Sequence, residues 1–249
     1  MQRWLLGTAV ALAMAAPAIA ADMPVKAPPI TRAPPAAIYN WTGCYVDGGG
    51  GYGLFNQDSF TRGEDGATTS KVTNGGRGWF GTVGGGCDVQ FGGWVVGAFG
   101  NYDFADLKGD VVIPGSNAVG REKQDSAWAV GGRLGYTLTP TILTYVNAGY
   151  TQARFAGIDF IDQSTGTPVD AHIGAHTYSG WFLGSGVEYA VPIWSGLFWR
   201  NEYRYARYEA ADLPEVVTST GVQTSIAVHS QKNVQTIRSE LIFRFNWLR

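Results

Sequence analysis

The sequence predicts an all-β fold, an eight-stranded antiparallel transmembrane up-and-down β-barrel, and three observations predict it. Segments of about ten residues alternate in polarity residue by residue, as strands do when one face is apolar and the other polar. The connections between them alternate between short turns and long polar stretches, the rhythm of bacterial barrels with tight periplasmic turns and longer outer loops. The 249 residues include 35 Gly, 9 Trp, 12 Tyr and 12 Phe, with only 15% charged, against roughly 25% in a soluble domain. Mean hydropathy is −0.05, because apolar and polar residues cancel in any window along an alternating strand.

The N-terminus sets the compartment. Arg3 precedes an uncharged apolar run over 5–16, and Ala18-Ile19-Ala20 forms a small-x-small cleavage site. This is the layout of a secretory signal peptide, expected over 1–20 and removed on export. Pro17 and the shortness of the run argue against an anchor helix. Residues 21–38 contain Pro24, Pro28, Pro29, Pro34 and Pro35, which exclude a helix or a central strand and predict an extended periplasmic tether. The outer-membrane barrel is expected over 39–249.

Eight strands follow from the alternation: 41–54, 78–91, 94–107, 126–136, 142–153, 180–190, 196–206 and 234–247. Short turns lie at 92–93, 137–141 and 191–195, and long loops are expected over 55–77, 108–125, 154–179 and 207–233. In the last strand Ile237, Leu241, Phe243, Phe245 and Trp247 share one face, while Arg238, Glu240, Ile242, Arg244 and Asn246 share the other. Trp199, Tyr203 and Tyr205 oppose Arg200, Glu202 and Arg204 in the same way. The strand at 142–153 does not alternate cleanly, and its phase stays open. A soluble sandwich or lipocalin-like barrel would share the period. Trp and Tyr near strand ends favour the membrane, where they form an interfacial girdle.

The polar face predicts a lumen charge network of Asp47, Asp88, Asp103, Glu188, Glu202 and Glu240 with Arg133, Arg200, Arg204, Arg238 and Arg244. An eight-stranded barrel has just enough interior for side chains to fill, and unpaired buried charges are costly. The expectation is therefore a packed ionic core; a narrow ion-selective pore is the alternative. Net charge is −2, which points to no nucleic-acid partner. His172 and His176 have a spacing that binds metal or haem only on a helix, and with His229 they read as solvated loop residues. Counting back from the loop stems pairs Cys44 with a position at or beside Cys87, both on the expected lipid face, where a disulfide and two free thiols both fit. Gly48-x-Gly50-x-x-Gly53 matches a dinucleotide fingerprint, but no helix follows it. No convergent Ser, His and Asp set can be placed on one rim, so no enzyme and no cofactor are expected.

The run Ala21-Asp22-Met23-Pro24-Val25-Lys26-Ala27-Pro28-Pro29, followed by Tyr39-Asn40-Trp41-Thr42-Gly43-Cys44-Tyr45-Val46, resembles the start of the small porin-like outer-membrane β-barrel surface antigens of alphaproteobacteria. Gly97-x-x-Gly100-Asn101-Tyr102-Asp103, Gly132-Arg133-Leu134-Gly135-Tyr136, Gly186-Val187-Glu188-Tyr189 and Glu202-Tyr203-Arg204-Tyr205 are similar to later strands of that family. The resemblance covers essentially the whole mature chain and implies an eight-stranded barrel in the Gram-negative outer membrane. It implies outer-membrane lipid and the barrel-assembly machinery as partners, the latter reading an aromatic-ended last strand at Phe243, Phe245 and Trp247. In such proteins an Ala-Asp start can be joined to peptidoglycan through the α-amine, which makes Ala21 and Asp22 the candidate attachment; a plain leader is the alternative. Cys44 stands where the family usually has an aromatic, and the chain ends Trp247-Leu248-Arg249 rather than on an aromatic. The family includes surface antigens and haemin-binding members. The expected role is a structural barrel and surface antigen supporting envelope integrity. A small-solute pore and a haem or host-molecule receptor acting through the outer loops are the alternatives.

Overall fold

The computed structural model describes residues 39–63, 66–113 and 115–245. The signal peptide, the tether with Ala21 and Asp22, and Trp247 lie outside these residues. Eleven strands form among the described residues: β1 (Gly43–Arg62), β2 (Val72–Phe91), β3 (Trp94–Val112), β4 (Ala118–Thr139), β5 (Ile142–Phe155), β6 (Ile158–Asp162), β7 (Pro168–Ile173), β8 (His176–Ala190), β9 (Leu197–Tyr208), β10 (Ala211–Val216) and β11 (Gln223–Phe245).

Eight of them close a ring. The order β1-β2-β3-β4-β5-β8-β9-β11 is antiparallel throughout, and β11 returns to β1 with Arg244 opposite Tyr45. Closure leaves no unpaired edge, the condition for backbone that crosses lipid. The β2–β3 hairpin turns on Gly92-Gly93, and Gly92 takes φ 59°, the left-handed conformation that a two-residue hairpin requires. The outer face carries the apolar side chains. On β3 they run from Trp94 through Val96 and Tyr102 to Phe104, about ten residues that span roughly 25 Å of height on a tilted strand. That matches the apolar band of an outer-membrane barrel.

The strands run past this band. Beyond it β4 leaves β5 and pairs with β6, placing Val119 opposite Ile161. Then β6 pairs with β7, β7 with β10, and β10 with β11. With β1, β2 and β3 these strands close a second ring stacked on the first. Its interior is apolar, with Ile113, Ala118, Ile158, Phe160, Ile173, Leu213 and Val228 packed together.

Two expectations are corrected here, and one open point is resolved. The long stretches expected as loops are mostly strand, and the outer connections shrink to 63–71, 113–117, 163–167 and 217–222. Outside lipid the outer face meets water and the inner face turns apolar, so the pattern that marks a transmembrane strand inverts. Trp41 does not begin a strand. It lies wholly buried inside the barrel mouth against Phe198, with ring centroids 4.8 Å apart. The open phase of β5 resolves with Leu143, Tyr145, Asn147 and Thr151 inward and Val146 and Tyr150 outward.

Cys44 and Cys87 sit directly opposite each other on β1 and β2 and form a disulfide. It closes a 43-residue span that register pairing along the hairpin already holds. A Cys44→Ser/Cys87→Ser variant is therefore expected to fold to the same barrel with its stability lowered by about 2–4 kcal/mol. The urea midpoint of refolded protein in detergent measures this; a variant that never closes would contradict it.

Candidate functional site

The interior is built in layers. At the short-turn end Trp41, Tyr45, Val95, Leu143, Phe198 and Ile242 form an apolar floor. Segment 39–42 is held there by Gln90: the Trp41 amide donates to its side chain (3.0 Å), and the Gln90 amide donates to the Thr42 hydroxyl (3.0 Å). Inward glycines clear the space above. A Cβ on Gly97 would strike the Asp88 carboxylate, and one on Gly186 would strike the Tyr145 hydroxyl.

Above the floor lies the first charge cluster, centred on Glu188, which is 0% exposed. Arg244 donates to it through Nη2 at 2.6 Å, Arg133 through Nη1 at 3.0 Å and Arg200 through Nη2 at 3.5 Å. Asp88 takes two bonds from Arg133, that from Nε at 2.8 Å, and one from Arg244 at 2.7 Å. Arg244 also donates to the Trp41 carbonyl at 3.0 Å, tying the cluster to the floor. The guanidiniums of Arg133, Arg200 and Arg244 surround the Tyr45 ring at 4.9, 5.2 and 4.9 Å, within cation–π range. Arg200 reaches on to Glu240 at 3.1 Å and Asp47 at 3.5 Å.

The second cluster sits directly above. Arg238 is 3.1 Å from Asp103, 3.7 Å from Glu202 and 3.7 Å from Glu240. Arg204 pairs with Glu202 at 2.7 Å and donates to Asn101 at 2.9 Å. The other Glu202 oxygen accepts from the Tyr145 hydroxyl (2.8 Å) and the Asn147 amide (2.7 Å). The cavity lined by Asp103, Arg204 and Arg238 measures about 20 Å³, room for a single water. All eleven residues expected in the lumen face inward and touch one another through these two clusters.

Several interior residues were not read from the sequence. Lys232, wholly buried, bonds Gln57 and, at 2.6 Å, Glu122, and lies 4.4 Å from the centre of the Phe155 ring. Lys232 and Glu122 belong to stretches expected as loops. Extending the alternation of β11 downward in number through Val234, Lys232, Ser230 and Val228 would have placed Lys232 inside. Tyr45, Tyr145 and Asn147 are neutral partners that a search for charges passes over.

The histidines are corrected from loop to strand. His172 lies on β7 with Nδ1 3.1 Å from the Thr218 hydroxyl, and His176 opens β8. His229 lies on β11, stacked on Phe60 and 2.6 Å from Asp212. Of the aromatic residues near the C-terminus, Phe243 packs on Trp194 and Phe245. At the outer tip Asp170 clasps the 217–222 turn: the Ser219 hydroxyl donates at 2.6 Å and its amide at 2.8 Å. These bonds hold the Asp170 carboxyl below the ordinary aspartate range. A depressed folded value means the clasp contributes fully above the unfolded value of about 3.9 and is lost as pH falls through the lower folded one. Protection of the Ser219 amide, its exchange compared with the unprotected rate at the same pH, is expected to fall only below about pH 4; in Asp170→Asn it should already be reduced at pH 7.

No protein-family model matches the chain. The chain is 27% identical over 248 residues, covering 95% of its length and 97% of the relative's, to the 31 kDa outer-membrane immunogenic protein of Brucella melitensis biotype 1, and equally to the protein of that name in Brucella suis biovar 1. Among solved structures it is similar to the outer membrane protein OprG from Pseudomonas aeruginosa, at 12% identity and a TM-score of 0.48, covering 83% of this chain and 98% of that one. A major outer membrane protein from Thermus thermophilus gives 13% identity and a TM-score of 0.42, with 79% and 99% covered. The closed ring, its apolar exterior and a relative matched over 95% of the chain converge: the chain is a β-barrel of the Gram-negative outer membrane, similar over nearly its whole length to an outer-membrane immunogenic protein of Brucella.

Proposed function

We propose that this barrel is a structural, non-catalytic component of the outer membrane whose lumen is plugged by its own charges and whose second ring presents an ordered surface outside the cell. The observation that carries the reading is Glu188 held by three arginines, with room for about one water in the cluster above it. A solute would have to displace several charge-assisted bonds at once, each stronger than a neutral bond. Below them lies the floor of packed, largely apolar side chains.

Liposomes carrying the refolded barrel and placed in an isotonic sugar solution test this. Swelling no faster than that of empty liposomes is expected. Swelling that scales with the amount of barrel would establish the pore instead. A covalent link to the cell wall through Ala21 is a separate part of the same proposal, supported by the Ala-Asp start and the Pro-rich run after it. Mass spectrometry of digested cell walls should find a muropeptide on Ala21, and a free amine alone would remove the link.

A further inference from the structure

The outer face carries a second ordered set of charges, separate from the lumen. Five cations point away from the barrel at one end of the apolar band: Arg77 on β2, Lys108 on β3, Lys123 on β4, Arg154 on β5 and Arg207 on β9. Each lies beyond an outward aromatic of its own strand, in turn Trp79, Phe104, Trp128, Tyr150 and Tyr205. Register sets three of them in file, Arg77 opposite Lys108 and Lys108 opposite Lys123. Like charges directly opposite one another destabilise a sheet, so this row does not serve the fold; it calls for anions.

The protein supplies some of them. Asp106 lies 2.9 Å from Lys108 and 3.4 Å from Lys123, and Asp125 lies 3.1 Å from Lys123. The arginines are different. Arg77, Arg154 and Arg207 are exposed and make no ion pair or side-chain hydrogen bond among the described residues. A guanidinium fork matches phosphate oxygens in pairs, whereas an ammonium acts as a point charge. The unsatisfied members of the belt are thus the ones built for phosphate.

Their position selects the source. The belt lies at the long-connection end of the band, just past the aromatic girdle, where lipid headgroups begin. Every outward-facing Lys or Arg among the described residues lies at or beyond this belt. The opposite rim, around Phe91, Trp94, Tyr136 and Trp194, has none. That asymmetry fits a membrane whose outer leaflet alone carries a phosphorylated glycolipid. We propose that Arg77, Arg154 and Arg207 bind the phosphates of the outer-leaflet glycolipid, with Lys108 and Lys123 supporting Arg77. The inference does not depend on whether the lumen is closed.

The test uses the full barrel purified in detergent and titrated with bis-phosphorylated lipid A, with bound lipid counted by native mass spectrometry. Dephosphorylated lipid A with the same acyl chains is the second arm. Arg77→Gln/Arg154→Gln/Arg207→Gln is expected to weaken the phosphorylated lipid about tenfold or more, three exposed ion pairs together contributing that order. It should leave the dephosphorylated lipid unchanged. Arg62→Gln/Lys71→Gln/Arg121→Gln, which removes the same charge beyond the belt, should bind as the parent does. Equal binding of both lipids by the parent, equal binding by parent and belt variant, or an equal loss in the control variant would each overturn the assignment. The single Arg207→Gln variant, expected to lose a few-fold, carries the test if the triple variant does not fold.

Discussion

Replacing Glu188 with Ala is expected to cost the folded barrel about 3–5 kcal/mol, the range for breaking a buried ion pair from one side. Glu188 is the one carboxylate that Arg133, Arg200 and Arg244 share. Without it, Arg133 and Arg244 keep only Asp88 between them, Arg200 falls back on Glu240 and Asp47, and the guanidiniums around the Tyr45 ring lose the carboxylate at their centre. Most of the expected loss is the penalty of stranded buried charge, rather than the net worth of the pairs. Glu188→Gln should fall between, because an amide oxygen still accepts from an arginine but brings no charge. Glu209→Ala, exposed beyond β9, should change stability by less than about 0.5 kcal/mol. Urea unfolding of the refolded proteins, followed by far-UV circular dichroism, ranks the three. A Glu188→Ala midpoint equal to that of the parent would mean that water reaches the cluster freely, and the packed interior would be wrong.

The second large effect is on permeation. Arg244 bridges the floor to the lower cluster, and Arg238 bridges Glu240 to the upper one. Arg238→Ala/Arg244→Ala removes both connecting side chains and leaves Asp88, Asp103 and Glu202 facing the space they filled. Planar-bilayer recordings of this variant are expected to show resolved, cation-selective steps where the parent shows none, because the residual lining is acidic. Heat-modifiable migration on gels establishes beforehand that the variant is folded. A folded double variant as silent as the parent would show that the arginines do not close the lumen.

Much of this was legible in the sequence because lipid enforces contrast. Where β11 crosses the membrane, Ile237 and Leu241 face lipid while Arg238 and Glu240 face in. A period of two with opposite chemistry on the two faces needs no further information. Beyond the membrane the same strand turns Gln231 and Asn233 outward to water and Val228 and Val234 inward. The contrast reverses near Lys232, which is where the sequence reading stopped. β1 does the same between Leu54 and Phe55, and β3 between Phe104 and Leu107. The short strands β6, β7 and β10 lie wholly outside lipid and carry no membrane pattern, so the second ring was invisible. β5 was ambiguous for another reason: its inner face mixes Leu143 of the floor with Tyr145 and Asn147 of the upper cluster. The alternation starts the first strand at Trp41 because nothing in the sequence marks where segment 39–42 leaves the sheet. Only the fold shows that segment 39–42 turns inward and that its carbonyl meets Arg244.

The central claim is that the side chains of the lumen leave no continuous aqueous path. Single-channel recording of the unmodified, refolded barrel in planar bilayers measures this most directly. The account predicts a flat current across the voltage range from protein shown to be folded and inserted. Steady, reproducible conductance steps from the same protein would contradict it, because the ion network would then line a pore instead of filling one.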